Sequence, residues 1–147
     1  MKNYNILILV LTIVFYSCNN QSKGITFHKS HEESRLSAPF SDAVEANNLL
    51  FLTGQIGKDH KKGNLVEGGI QAETKQTIEN IKAVLEHHNL WLDNVVKCTV
   101  ILSDINDFSA FNEVYIQYFT KKPARTTFAA AGLAANAKIE IDVIAAK

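Results

Sequence analysis

The sequence predicts an α+β sandwich in which two helices cover one face of a single mixed β-sheet. Three observations predict it. The 147 residues are 46% hydrophobic, enough for one ordinary core and too few for two sizeable domains. β-favouring residues flank the paired asparagines Asn47 and Asn48, and from Ile70 the apolar positions switch to helical spacing. The elements then read hairpin, helix, strand, helix, strand, strand, an order that places both helices on one side of a sheet.

The first element is an address. Lys2 precedes an eleven-residue, almost wholly apolar run from Ile6 to Tyr16, followed by Ser17, Cys18 and a polar stretch. This is the order of a secretory signal, and the run is well short of the roughly 20 residues that span a bilayer. Cys18, after a small residue, is similar to the lipidated cysteine of a bacterial lipoprotein signal, although Phe15 and Tyr16 are bulkier than usual there. The expected organisation is a lipoprotein-type signal peptide over 1–17, a tether over 18–30 starting at the lipidated Cys18, and a domain over 31–147. The protein is then expected at the periplasmic face of a bacterial membrane, held by its lipid. Residues 24–28 of the tether can form a short edge strand.

Residues 43–46 and 49–54 form the hairpin, since asparagine tolerates the positive φ of a tight turn. Ile70, Thr74, Ile78, Ile81, Val84, Leu85 and His88 recur at helical spacing over about five turns of ~3.6 residues, with His87 and His88 at the negative end of the dipole. Residues 95–102 are a strand too apolar to keep one face in water, and 104–107 a turn that caps the next helix. That helix, 108–119, is expected to bury Phe108, Phe111, Val114, Tyr115 and Tyr118. After the connector at 121–124, residues 125–131 and 138–146 are two more strands. Two helices cannot cover both faces of such a sheet, so the open face is expected to meet other subunits.

Composition excludes several functions. Fifteen basic and fifteen acidic residues leave no excess to neutralise phosphates, and only Arg35 and Arg125 are arginines, which argues against nucleic acid. The five histidines form no metal-ligand motif, with His28 and His31 in the tether and His87 and His88 at a helix end, so no metal is expected. Gly54, Gly57, Gly68 and Gly69 lack the lysine and setting of a phosphate loop and read as loop glycines. No serine sits in a nucleophile elbow. Cys98, inside a strand with no histidine nearby, reads as a buried packing residue.

The informative element is the last pair of strands. Alternation puts Arg125 and Thr127 on one face, and Glu140 and Asp142 on a polar face opposite Ile139, Ile141 and Val143. Arginine presents a planar fork suited to a carboxylate. If the two strands are neighbours, the polar faces converge on a substrate site. Equally, Arg125 and Glu140 can be a plain ion pair across the sheet or a subunit boundary.

Five blocks taken together, Ala38-Pro-Phe-Ser41, Leu52-Thr-Gly-Gln-Ile56, Asp104-Ile-Asn-Asp-Phe108 with Asn112-Glu-Val-Tyr115, Pro123-Ala-Arg-Thr-Thr127 and Lys138-Ile-Glu-Ile-Asp142, resemble the Rid (reactive intermediate deaminase) family, also called the YjgF family. The resemblance runs from about Ser37 to Lys147. It implies a chorismate-mutase-like sandwich assembled as a homotrimer with clefts between subunits. It also implies hydrolysis of enamines and imines, such as 2-aminoacrylate and 2-iminopropanoate, to 2-keto acids and ammonia, without a cofactor. By motif position, Arg125 would bind the substrate carboxylate and Glu140 would activate water. Thr53 keeps the hydroxyl of the family's serine, Asn112 matches a polar cleft position, and Thr127 stands where many members have cysteine. Phe40 and Ala38 depart from Gly-Pro-Tyr, which removes one cleft hydroxyl and bears on substrate preference. An exported member would meet a different imine from its cytoplasmic relatives, so a carboxylic-acid-binding lipoprotein with little turnover is the alternative. RNA cleavage, also associated with the family, does not suit a neutral chain without a basic stripe.

Overall fold

The computed structural model describes residues 24–147; the signal sequence expected over 1–17, the Cys18 lipidation site and the tether as far as residue 23 lie outside the described residues. The chain forms strands β1 (Thr26–His28), β2 (Ala43–Ala46), β3 (Leu49–Leu52), β4 (Gln55–Ile56), β5 (Lys58–Asp59) and β6 (Asn64–Leu65). Helix α1 (Gly69–His87), β7 (Val95–Leu102), α2 (Phe108–Tyr118), β8 (Ala124–Ala129) and β9 (Ile139–Ala146) complete it. The main sheet runs β1-β2-β3-β9-β7-β8, with β4 also on β9, and the β5–β6 hairpin stands apart. β7 and β8 are parallel while the other pairs are antiparallel, so the sheet is mixed as expected.

The helix spacing read from the sequence is the one that packs. Ile70, Thr74, Ile78, Ile81, Val84 and Leu85 of α1 are buried against Leu50, Val100, Ile139, Ile141 and Val143. Asp104 accepts from the Asn106 amide at 2.9 Å, capping the turn before α2. The hairpin turns through Asn47 at φ 54°. Phe111 and Tyr115 of α2 are buried, but Phe108, expected inside, is 37% exposed because it lies at the first turn, over the sheet edge. Residues 26–28 of the expected tether form the edge strand that was the open alternative, pairing with β2.

The face of the sheet away from the helices carries Phe27, Phe51 and Phe128, all exposed in the single chain. In-register partners share a face, so Phe27, Val44, Phe51 and Ile144 form one apolar row across four strands. One close approach needs glycine, and a second is met by a movable side chain. A Cβ at Gly57 would lie 2.6 Å from the Glu73 Cα on α1, and one at Gly54 would overlap the Glu140 carboxylate. Both lie in connections between strands, as spacing suggested, and the close approaches add a packing role there.

Candidate active site

Arg125 is the second residue of β8, an edge strand, and pairs in register with Cys98 of β7 and through it with Val143 of β9. Cys98 and Val143 face the helices, so Arg125 does as well. At the sheet edge its guanidinium reaches past the core onto an aromatic shelf on α2. The Arg125 Cζ stands 4.6 Å from the Tyr115 ring centroid, 5.1 Å from Phe111 and 5.6 Å from Phe108. The three rings follow α2's spacing of three and four, which stacks them on one helix face. Tyr115 is held in turn by donating its hydroxyl to Cys98 Sγ at 3.4 Å. Burial pushes the Cys98 thiol up to about 11 and the Tyr115 phenol above its ordinary range, so both stay neutral near pH 7. Cys98 packs, as its strand position suggested. No carboxylate pairs with Arg125 among the described residues. With Asn112 and Tyr115 it lines an open recess of about 540 Å³.

Glu140 belongs to the other face. It pairs with Ile101 of β7 and Ile56 of β4, and its carboxylate sits where β3 gives way to β4 at Thr53 and Gly54. Burial raises its pKa above the ordinary carboxylate value, and the negative charge of Asp142 raises it further. A cavity of about 290 Å³ opens beside it, lined by Phe40, Thr53 and Gly54 and closed by Arg35, Lys58 and His60.

The residues of the expected site therefore form two groups. Arg125, Asn112 and the start of β8 make one, with Thr127 on the Arg125 face of the strand; Glu140, Thr53 and Phe40 make the other. The expectation that the two polar faces converge within the chain is wrong, and so is pairing of Arg125 with Glu140 across its own sheet. β7 lies between β8 and β9, and the register sets Arg125 against Val143, three residues from Glu140. An odd offset puts the two side chains on opposite faces, about 10 Å apart across the strands and about 10 Å along them.

Residues not singled out in the sequence hold the Glu140 cavity. Arg35 Nη2 pairs with the buried Asp42 at 3.0 Å, and Nη1 donates to the buried Gln55 side chain. Asn80 of α1 donates to the Ile56 and Lys58 carbonyls at 3.0 and 2.9 Å, fixing the cavity wall. The one sequence signal was that Arg35 is the other arginine of the chain. Docking of β1 also brings together histidines that spacing kept apart: His28 meets His88 edge-on at 4.6 Å and His31 stacks on His87 at 5.0 Å. No group of three or more histidine, cysteine or acidic residues among the described residues is arranged to hold a metal ion.

The molecule is an α+β protein with a helix-backed mixed sheet, an arginine without a carboxylate partner among the described residues on one face and a raised carboxyl on the other. The chain belongs to the endoribonuclease L-PSP family, whose profile matches residues 32–147, the family also known as YjgF or Rid. It is 43% identical over 108 residues to the 2-iminobutanoate/2-iminopropanoate deaminase of Homo sapiens, covering 73% of this chain and 79% of that one. Among solved structures it is similar to a Rid-family protein of Yersinia pestis, with a TM-score of 0.78, 33% identity and coverage of 84% and 100%. Escherichia coli TdcF with bound serine superposes with a TM-score of 0.70 at 31% identity, over 74% of this chain and 88% of that one.

Proposed function

We propose that the protein hydrolyses 2-imino acids and their enamine tautomers to 2-keto acids and ammonia, at sites shared between neighbouring subunits of a homotrimer. The observation that carries this is the separation of an unpaired Arg125 and a raised Glu140 onto opposite faces, each open to a partner. The apolar row on the uncovered sheet face supports assembly, since exposed apolar area of that kind marks an interface. Relatives named for 2-iminobutanoate and 2-iminopropanoate, and a homologue with bound serine, support a small α-carboxylate ligand.

Arg125 binds the α-carboxylate through two charge-assisted N–H donors, with its aromatic shelf fixing the plane of the fork. Glu140 takes a proton from water as the oxygen bonds to the imine carbon. The same carboxyl returns that proton to the nitrogen to give a carbinolamine, then takes the hydroxyl proton as the oxygen closes the C=O bond and passes it to the amino nitrogen, so the C–N bond breaks and ammonia leaves behind the keto acid. A carboxyl raised by burial is matched to both halves of this transfer. The imine carbon is already electrophilic, so placement of acid and water supplies most of the catalysis.

The test measures imine loss and keto-acid formation with imino acids made in situ by an amino-acid oxidase. Turnover above the spontaneous rate that Arg125→Ala and Glu140→Gln both abolish supports the assignment. Turnover unaffected by either substitution refutes these roles. The apolar run from Ile6 to Tyr16 before Cys18 further supports export and lipid anchoring at a periplasmic membrane face. A mass for an acylated Cys18 at the mature N-terminus supports that placement, and an unmodified N-terminus elsewhere overturns it.

A further inference from the structure

The cavity beside Glu140 is larger than a short imino acid needs. A methyl group displaces about as much space as a water, about 30 Å³, so in the single subunit, before a neighbour's Arg125 enters, the side chain of 2-iminopropanoate leaves most of the 290 Å³ unfilled. The far wall is polar. Arg35 is already satisfied by Asp42 and Gln55, but Lys58 has no ion-pair partner among the described residues. His60 Nδ1 is buried with no hydrogen-bond partner. Burying a polar nitrogen without a partner is unfavourable, a cost removed when a ligand supplies one.

We propose that this cavity is a side-chain subsite for imino acids that end in a second carboxylate, with Lys58 and His60 as its specificity-determining residues. The inference rests on the deaminase reading and names its substrate class. Lys58 lies two residues beyond Ile56, the register partner of Glu140, which sets it about 7 Å along the chain from the reacting centre. A four- or five-carbon imino diacid spans that interval with its distal carboxylate turned away from Glu140. The wall is rigid. Asn80 holds the Lys58 carbonyl, and Lys58 pairs with Leu65 in the β5–β6 hairpin. Charges facing His60 come from Arg35 and Lys58 on one side and Glu32 and Asp42 on the other; burial and the two cations hold its pKa below the ordinary imidazole value. An arriving carboxylate offers both Lys58 and His60 an acceptor.

The experiment compares 2-iminosuccinate and 2-iminoglutarate with 2-iminopropanoate, each generated in situ, on the purified protein and on Lys58→Met and His60→Phe, which keep side-chain bulk. A charge-assisted contact predicts a diacid preference in kcat/KM of about ten- to a hundredfold, falling about tenfold or more in each variant. Preference for the monoacid, or a ratio unchanged by both substitutions, overturns the proposal. If no imine is turned over, the deaminase reading fails by itself, and calorimetry with 2-oxoglutarate against pyruvate decides the subsite. Tighter 2-oxoglutarate binding that Lys58→Met removes sustains it, and equal affinities overturn it.

Discussion

Subunits carrying Arg125→Ala and subunits carrying Glu140→Gln, each inactive alone, are expected to regain activity when they assemble together. Arg125 and Glu140 face opposite sides of one sheet, so no loop adjustment lets one chain's pair act on one small molecule. On the proposed reading a working site takes Arg125 from one subunit and Glu140 from the next. In a closed ring assembled at random from equal amounts, an intact arginine meets an intact glutamate at about one site in four. Differently tagged variants are co-expressed, mixed oligomers isolated on both tags, and turnover compared with wild type. Selection on both tags leaves only trimers carrying both kinds of subunit, in which one site of three is intact, so recovery near a third of wild-type activity is expected, against parents reduced by one to two decades for the lost anchor alone, at roughly 1.5–3 kcal/mol. Mixed oligomers no more active than their parents would refute the shared site.

Three further outcomes follow from the same geometry. Tyr115→Leu removes the nearest ring under Arg125 and the hydroxyl on Cys98; a cation–π contact of about 0.5–2 kcal/mol predicts a two- to thirtyfold weaker KM and keto-acid affinity, with Tyr115→Phe nearly normal, and an unchanged KM in the leucine variant removes the shelf from the account. Gly54→Ala drives a Cβ into the Glu140 carboxylate, which must swing aside, so kcat falls while thermal melting changes little; a wild-type kcat would mean that Glu140 acts from another position. Because the folded pKa of Glu140 is raised, its favourable contribution is present below the unfolded value and lost as pH rises through the folded one. Glu140→Gln is therefore expected to melt above wild type at pH 7, the gap closing below about pH 4, near the ordinary glutamate value.

Both helices, the hairpin and the three long strands were legible because each carries its own periodicity. The bury-and-expose rhythm of α1 and the alternation of β9 are local properties, and local properties survive into the structure. Strand order is not local. β8 and β9 are consecutive strands in the sequence, which suggested neighbours, yet β7 separates them. That one insertion changed the parity relating Arg125 to Glu140 and divided the expected site. The two-residue strands β4, β5 and β6 left no period to detect, and with them went Lys58, His60 and the carbonyls that give Asn80 of α1 its role. The Arg35–Asp42 pair joins a short helical turn to a loop beside β2, and nothing in spacing ties those positions together.

The same topology explains why a single subunit is incomplete in two ways at once. An α+β layer with helices on one side leaves an apolar sheet face, and here that face carries the carboxyl. The edge strand β8, whose backbone invites pairing or cover, carries the arginine. On the proposed reading, covering the sheet and closing the edge bring Arg125 and Glu140 to their partners in the same event. Glu140 would lose further solvent as the face is buried, moving its pKa in the direction it already leans and toward the value a proton-transfer group needs near neutral pH. Assembly and activity are then coupled, so substitutions in the Phe27, Phe51 and Ile144 row should lower turnover in proportion to the oligomer they dissociate, although none of those residues lines either recess.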